Sequence, residues 1–311
     1  MVTEPSRMTT TGDANVERRR HLSSWLDRHA YTLLLAPAVV VLLALGVFPF
    51  LYSLWLSFND WNLADRTATW HFTGLTNYAK ILTADPLFLD GLRATAIFVG
   101  SSVATEMLLG IAIALLFNRE YPGHGIVRTL IILPVMITPV VVGLIWRFMY
   151  NPDRGIVNYL LSLIGVRGLD WLGREGTAMP AVILVDIWEW TPFIALIVLA
   201  ALQSLDREPL EAAMIDGANN WQRFRYVVLP MIQPAILVAL LIRLMDAFKT
   251  FDIIYVLTLG GPGASTQVLS LYTYKYGFKF FQMGYAAALA YIMVIIVIIL
   301  ANVFIRGLRR R

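Results

Sequence analysis

The stretch QSLDREPLEAAMIDGANNWQRFRYVVLPMI, Gln203–Ile232, is polar and lies between two long apolar runs, about Ala178 to Leu202 and Gln233 to Leu257. Asp206, Glu208 and Pro209 suit a first helical turn, where carboxylates meet the positive end of the helix dipole and proline's missing N–H is not needed. Leu210 to Asp216 reads as a short helix, and Gly217 can take the left-handed conformation that ends it. A second short amphipathic segment runs from Asn219 through Val228, before Pro230. The unit predicted is a helix, a tight turn and another helix lying beneath a membrane, far longer than joining two spans requires.

Outward from this unit, apolar stretches long enough to cross about 30 Å of hydrocarbon, roughly 20 residues each, recur along the 311-residue chain. They run approximately Tyr31 to Leu56, Ala94 to Phe117, Ile126 to Met149, Ala178 to Leu202, Gln233 to Leu257 and Gly284 to Ile305. With 58% hydrophobic and 15% charged residues and a mean hydropathy of +0.65, the chain has more apolar surface than a soluble fold can bury. The alternating ten-residue strands of a membrane barrel are absent, so the predicted class is all-α and polytopic, with six transmembrane helices. The absence of cysteine excludes disulfides, Cys-ligated zinc, iron–sulfur clusters and thiol nucleophiles.

Lys and Arg near span ends are retained on the cytoplasmic side. With the N-terminus inside, the tail (Arg7, Arg18, Arg19, Arg20, Arg28), the second connection (Arg119, Arg128), the fourth (Arg207, Arg223, Arg225) and the C-terminus (Arg306, Arg309, Arg310, Arg311) carry fourteen basic residues. The other side carries eight: Arg66, Lys80, Arg93, Arg154, Arg167, Arg174, Lys275 and Lys279. Both termini are therefore expected in the cytoplasm, and the terminal arginines mark orientation in a lipid bilayer, not nucleic-acid binding. Residues 1–30 read as a polar, basic cytoplasmic tail without the pattern of a cleavable signal, and 31–311 as one six-helix membrane domain whose cytoplasmic loop spans about 203–232.

Within that loop the fixed pattern is Glu211-Ala212-Ala213, two residues, Asp216-Gly217-Ala218, eight residues, Val227, one residue, then Leu229-Pro230. This resembles the EAA loop of binding-protein-dependent ABC importer permeases; only Val227, where Ile is commoner, departs. The resemblance extends through Phe48 to Phe58, Phe72 to Tyr78, Asp85-Pro86, and Phe251-Asp252 through Gly260-Gly261-Pro262, which are similar to carbohydrate permeases of the maltose-transporter MalF type. Arg93-Ala94-Thr95 departs where that family tends to have Asn-Thr. The resemblance implies the type I ABC importer permease fold in a bacterial cytoplasmic membrane. Its implied partners are a homologous MalG-type permease, two ATP-binding subunits and an extracellular or periplasmic solute-binding protein. Glu211, Ala212, Ala213, Asp216, Gly217, Ala218, Leu229 and Pro230 would then couple to the ATPase subunits. No cofactor is expected in this chain, since Gly260-Gly261-Pro262-Gly263 lacks the Gly-Lys-Ser/Thr of a P-loop, and ATP and Mg belong to the partners.

An ionisable residue inside a span is costly unless it is paired or faces water. Asp186, Glu189 and Trp190 are spaced i, i+3, i+4, and Arg243, Asp246, Ala247 and Thr250 follow i, i+3, i+4, i+7, so each set forms one helix face. Two polar faces at one depth predict a polar cavity. Carboxylates accept sugar hydroxyls and an indole face covers the C–H patch of a pyranose. The MalF resemblance places Asp186, Glu189, Trp190, Asp246, Ala247 and Thr250 on or beside that family's sugar contacts. The competing reading makes Arg243 and Asp246 a structural i, i+3 ion pair, with Glu106 as bundle glue and Arg147 snorkelling to the interface.

The expected function is therefore half of the translocation path of an ATP-driven importer for an oligosaccharide, amino sugar or polyol. A permease for glycerol phosphate or another small polar solute is the alternative; an ion-coupled secondary transporter would leave the EAA loop without a reason. The absence of HExxH, clustered histidines and GxSxG speaks against a membrane enzyme.

Overall fold

A computed structural model describes residues 34–65, 70–118 and 122–309. The basic tail 1–30, the start of the first span at Tyr31, and Arg66, Arg119, Arg310 and Arg311 lie outside the described residues. Two compact units divide at Trp55. The first is the greater part of helix α1, Leu34–Ser57, whose apolar side chains stand exposed, as a lipid-facing anchor requires. Within α1 a π-turn, Leu43–Val47, immediately precedes Phe48 and Pro49. The wider turn lets the Phe48 N–H donate to the Leu43 carbonyl and accommodates a proline that an α-turn would clash with.

The second unit opens on a two-stranded ribbon, Asn59–Asp60 (β1) and His71–Phe72 (β2), with Asn59 opposite Phe72. Its helices are α2 (Thr76–Ala84), α3 (Pro86–Phe117), α4 (His124–Met136), α5 (Pro139–Met149), α6 (Ile156–Leu163), α7 (Glu175–Gln203) and α8 (Glu208–Ile215). They continue with α9 (Asn220–Phe248), α10 (Asp252–Thr258), α11 (Leu269–Tyr274) and α12 (Met283–Arg309). Asp85 starts α3 by accepting from the Leu87 and Phe88 N–H groups, with Pro86 as the first helical residue. The other oxygen of the same carboxylate accepts from the Tyr272 and Tyr285 hydroxyls, pinning α3 to α11 and α12.

The long helices α3 and α7 form the centre of the bundle. Gly110 makes their approach possible: a Cβ there would lie 2.6 Å from the Cβ of Ile194. The core around them is aliphatic and aromatic, including Phe98, Val103, Val182, Val185, Ile194 and Val198, with Ala239 of α9 packed in.

Among the described residues five helices are long and apolar enough to cross a membrane; a sixth crossing is counted if the bent pair Gly125–Met136 and Pro139–Met149 is one span. Three predicted boundaries are corrected. The second span begins at Pro86, not near Ala94, because Asp85-Pro86 caps it. The third is not straight: its halves meet at 101°, where Ile137 and Thr138 are extended and Pro139 restarts the helix. The fifth begins in the polar loop at Asn220 and breaks after Phe248–Lys249, so Leu257 belongs to a separate helix. The continuous entry into α9 also corrects the expectation that a second helix ends before Pro230. A π-turn, Phe224–Val228, lets the Leu229 N–H reach the Phe224 carbonyl, and the helix runs on through Pro230 as α1 does through Pro49.

Candidate functional site: a charged cavity at two helix breaks

Arg243 of α9 sits in the core with no exposed surface. Its Nε donates to Glu106 Oε2 at 2.6 Å and its Nη2 to Glu106 Oε1 at 3.0 Å, a two-pronged pairing with a carboxylate from α3. Nη2 also donates to Asp186 of α7, and Nη1 reaches Asp246 Oδ2 at 3.3 Å. The guanidinium lies 5.0 Å from the centre of the Trp190 ring, within cation–π range. One buried cation thus ties α9 to α3 and α7 through two carboxylates and holds a third, Asp246, on its own helix. The structural-pair expectation for Arg243 and Asp246 understates this, because Glu106 and Asp186 hold the shorter bonds.

The arrangement leaves acceptors over. Asp186 Oδ1 and Glu189 Oε2 are buried without a hydrogen-bond partner. On the other side of the network Asp246 Oδ1 meets Lys249 Nζ at 3.3 Å, and the Lys249 side chain is 74% exposed.

Asp246 opens onto a cavity of about 360 Å³ lined by Trp190, Asp246, Lys249, Thr250, Phe251 and Asp252, with Pro139 and Ile253 completing the wall. Two breaks in the helices border it. At one, Thr250 turns extended (ψ 125°) and its carbonyl, released from the helix, accepts from the Ser270 hydroxyl at 2.5 Å. At the other, Pro139 restarts α5 after the bend. Broken backbone at membrane depth is tolerated where it lines a water-filled cavity, so the two breaks and the charges point to the same space.

Of the predicted cavity residues, Trp190, Asp246 and Thr250 line it. Asp186 lies behind in the buried network, Glu189 is buried at 1% exposure, and Ala247 packs in the core at 2% exposure. Sequence reasoning missed Glu106 as the principal partner of Arg243 and Phe251 as a lining residue; Lys249 and Asp252, charged residues of the same span that it weighed more heavily as lying near the outer water, line the cavity as well. A lone arginine in a span facing more than one carboxylate was the available signal.

The polar loop builds a second surface. Glu211, Ala212 and Ala213 lie on α8, none of whose residues is buried. Gly217 takes φ +78°; its N–H donates to the Met214 carbonyl and the Ala218 N–H to that of Ala213. These two bonds close a Schellman turn after Asp216. Asn219 and Gln222 then cap α9 reciprocally, backbone to side chain in both directions. Leu229 and Pro230 lie in the continuous helix beyond. Ile215, Trp221 and Tyr226 are 87%, 68% and 73% exposed, so this hairpin offers apolar side chains to whatever lies beneath it. Between α8 and the ends of α3, α7 and α9 lies a cavity of about 610 Å³ whose lining includes Arg207, Glu211, Asn220 and Arg223.

An all-α bundle whose spans break around a charged cavity, with an exposed helical hairpin between spans, is the architecture of a membrane permease. Residues 86–311 match the family described as binding-protein-dependent transport system inner membrane component, and the chain belongs to that family. It is 40% identical over 297 residues to the probable ABC transporter permease protein y4oQ of Sinorhizobium fredii, covering 94% of this chain and 93% of that one. The trehalose/maltose transport system permease protein MalF of Thermococcus litoralis is 34% identical over 278 residues, covering 88% and 92%. Among solved structures, a bacterial ABC transporter involved in the import of the acidic polysaccharide alginate superposes with a TM-score of 0.79 at 25% identity, covering 93% and 99%. The chain is a membrane-embedded permease subunit of an ABC importer, a transport component and not an enzyme.

Proposed function

We propose that the chain forms half of the translocation path for a neutral or amino sugar, oligosaccharide or polyol, entering a bacterium across its cytoplasmic membrane with both termini inside. The observation that carries this reading is the cavity at the two helix breaks, where an indole face, carboxylates and an ammonium group converge within reach of one small solute. Asp246 and Thr250 would hydrogen-bond hydroxyls and Trp190 would cover a pyranose C–H face, while Asp186 would hold Arg243 behind them. The excess of carboxylates over cations disfavours a phosphorylated solute. The name of the Thermococcus relative supports a sugar.

In the same reading Glu211, Ala212, Ala213, Asp216, Gly217, Ala218, Leu229 and Pro230 couple to ATP-binding subunits. The exposed α8 would seat on one such subunit, small Ala212 and Ala213 allowing close approach and Glu211 meeting a basic group. One chain supplies one coupling hairpin, so a homologous permease would supply the other, beside two ATPase subunits that hold ATP and Mg. A solute-binding protein outside the cytoplasm would deliver the sugar, a reading that the family's binding-protein-dependent description supports.

The test is the complex reconstituted in proteoliposomes with its binding protein and a panel of trehalose, maltose, glucosamine and sorbitol. Asp246→Asn and Trp190→Ala should each lower uptake about tenfold, the loss of one hydrogen bond to a charged group or one stacked face. Glu211→Lys should abolish stimulation of ATP hydrolysis by loaded binding protein. Unchanged uptake in the first two would refute the cavity assignment, and unchanged stimulation in the third would refute the coupling assignment.

A further inference from the structure

Phe251 lines the charged cavity and is also the first ring of an aromatic series that leads out of it. It stacks on Tyr255, one turn further along, at 5.1 Å and 25°. Across from them, Tyr274 of α11 lies 4.7 Å from Phe251 and 5.5 Å from Tyr255. Tyr274 in turn stacks on Phe278 at 5.4 Å and 25°, and Phe278 is 65% exposed. Two i, i+4 aromatic pairs on neighbouring helices therefore join into one series with its inner end in the cavity and its outer end at the surface.

This series differs from the aromatic group on the other side of α11. Tyr272 is 2% exposed and Tyr285 is 6% exposed, and both hydroxyls are held by Asp85, which is core construction. Phe251, Tyr255 and Tyr274 are only half-buried. Charged groups accompany them: Lys249 and Asp252 at the cavity, and the Lys279 ammonium 5.7 Å from the Tyr255 ring centre. A face turned to lipid tails would not carry exposed ammonium and carboxylate groups along its rings, so the series borders water.

We propose that Phe251, Tyr255, Tyr274 and Phe278 are a stacking track along which pyranose rings pass between the outer mouth of the permease and the cavity at Asp246. The track rests on the sugar reading given above. Ring faces attract the C–H patch of a pyranose without reading its hydroxyl pattern, so a sugar can step from ring to ring without being held at any one of them. Hydroxyl recognition is then left to Asp246 and Thr250.

The experiment uses the reconstituted complex with labelled maltose, maltotetraose and, as a solute without a ring, sorbitol. Tyr255→Leu and Tyr274→Leu keep apolar bulk but remove the ring face, and each should lower maltose uptake about three- to tenfold at sub-saturating concentration, more for maltotetraose. ATP hydrolysis stimulated by loaded binding protein should fall less than uptake does. Tyr255→Phe and Tyr274→Phe should recover most of the loss, and any sorbitol uptake should be insensitive. Phe278→Ala, at the exposed end, tests the track without disturbing the core and should show the same preference for longer sugars. The proposal is overturned if Leu and Phe variants transport equally, or if sorbitol uptake falls in parallel with maltose. Loss of the partner permease on purification of the Leu and Ala variants overturns it as well, since the rings would then form a subunit contact. Failure of the unmodified complex to transport any of these sugars removes the sugar reading itself, and that result appears before any variant is made.

Discussion

Replacing Arg243 by methionine keeps the length of the side chain and removes its charge. Glu106 and Asp186 would then stand at zero exposure without a cation. Breaking a buried ion pair by deleting one partner costs about 3–5 kcal/mol, and here one deletion strands two carboxylates, so the upper end applies. Glu106→Gln is milder. It keeps an acceptor at one prong of the pairing, and Arg243 still meets Asp186 and Asp246, so about 1.5–3 kcal/mol is expected for the lost charged hydrogen bonds. The decisive quantity is the double variant. If the two side chains stabilise the bundle through each other, Arg243→Met with Glu106→Gln should cost less than the sum of the two single changes, by about 2 kcal/mol. SDS-titrated unfolding of the purified complex in mixed micelles measures all three. Additive costs would refute the argument, because they would show that Arg243 and Glu106 act independently despite the 2.6 Å contact.

Gly284→Ala should prevent folding or severely reduce membrane abundance, since the added Cβ would lie 1.9 Å from the Asn59 backbone oxygen, which cannot move without the ribbon; normal abundance on a fluorescence-detected sizing column would contradict the packing. Gly110→Val should act similarly against Ile194, with Gly110→Ala the lesser of the two, and equal losses would be inconsistent with a steric cause. Asp85→Ala removes the cap of α3 and leaves two tyrosine hydroxyls unpaired, for about 2–4 kcal/mol measured in the same SDS titration. Gly217→Val forces a β-branched residue into φ +78° at an exposed turn, so it should leave the spans intact while lowering recovery of the ATPase subunits on purification; full recovery would count against the coupling hairpin.

The parts of the molecule that were legible in its sequence are those fixed by local chemistry. Leu210 to Ala218 announces its own helix and turn, because only a glycine after Asp216 makes the left-handed residue inexpensive, and the hydrogen bonds closing the turn reach back three and five residues. The apolar runs locate the spans because crossing a membrane demands length and little else. The breaks were less visible. Hydrophobicity continues unbroken through Ile137-Thr138, and Pro134 and Pro139 can each be read as tolerated within a span, so nothing local demands a 101° bend. At Thr250-Phe251 no proline or glycine marks the stop; the carbonyl freed there is taken by Ser270, twenty residues later. Glu106 was hidden for the same reason, being 137 residues from the arginine it pairs with.

The burial of Arg243 has a mechanical consequence for the proposed transport cycle. Its guanidinium is shared by α3, α7 and α9, so these three helices hold together as one body, while α10 and the α4–α5 bend border the cavity without joining the charge network among the described residues. Motion that opens the cavity would then occur at the two breaks, where each link is one or two extended residues, and not by sliding α9 past α3. The Ser270 to Thr250 hydrogen bond lies on that hinge. Ser270→Ala should therefore alter the rate of uptake while leaving SDS stability within about 1 kcal/mol, the size of one neutral hydrogen bond. A variant with unchanged uptake and a stability loss as large as that of Arg243→Met would show that the break belongs to the rigid body, and the division into body and hinge would fall.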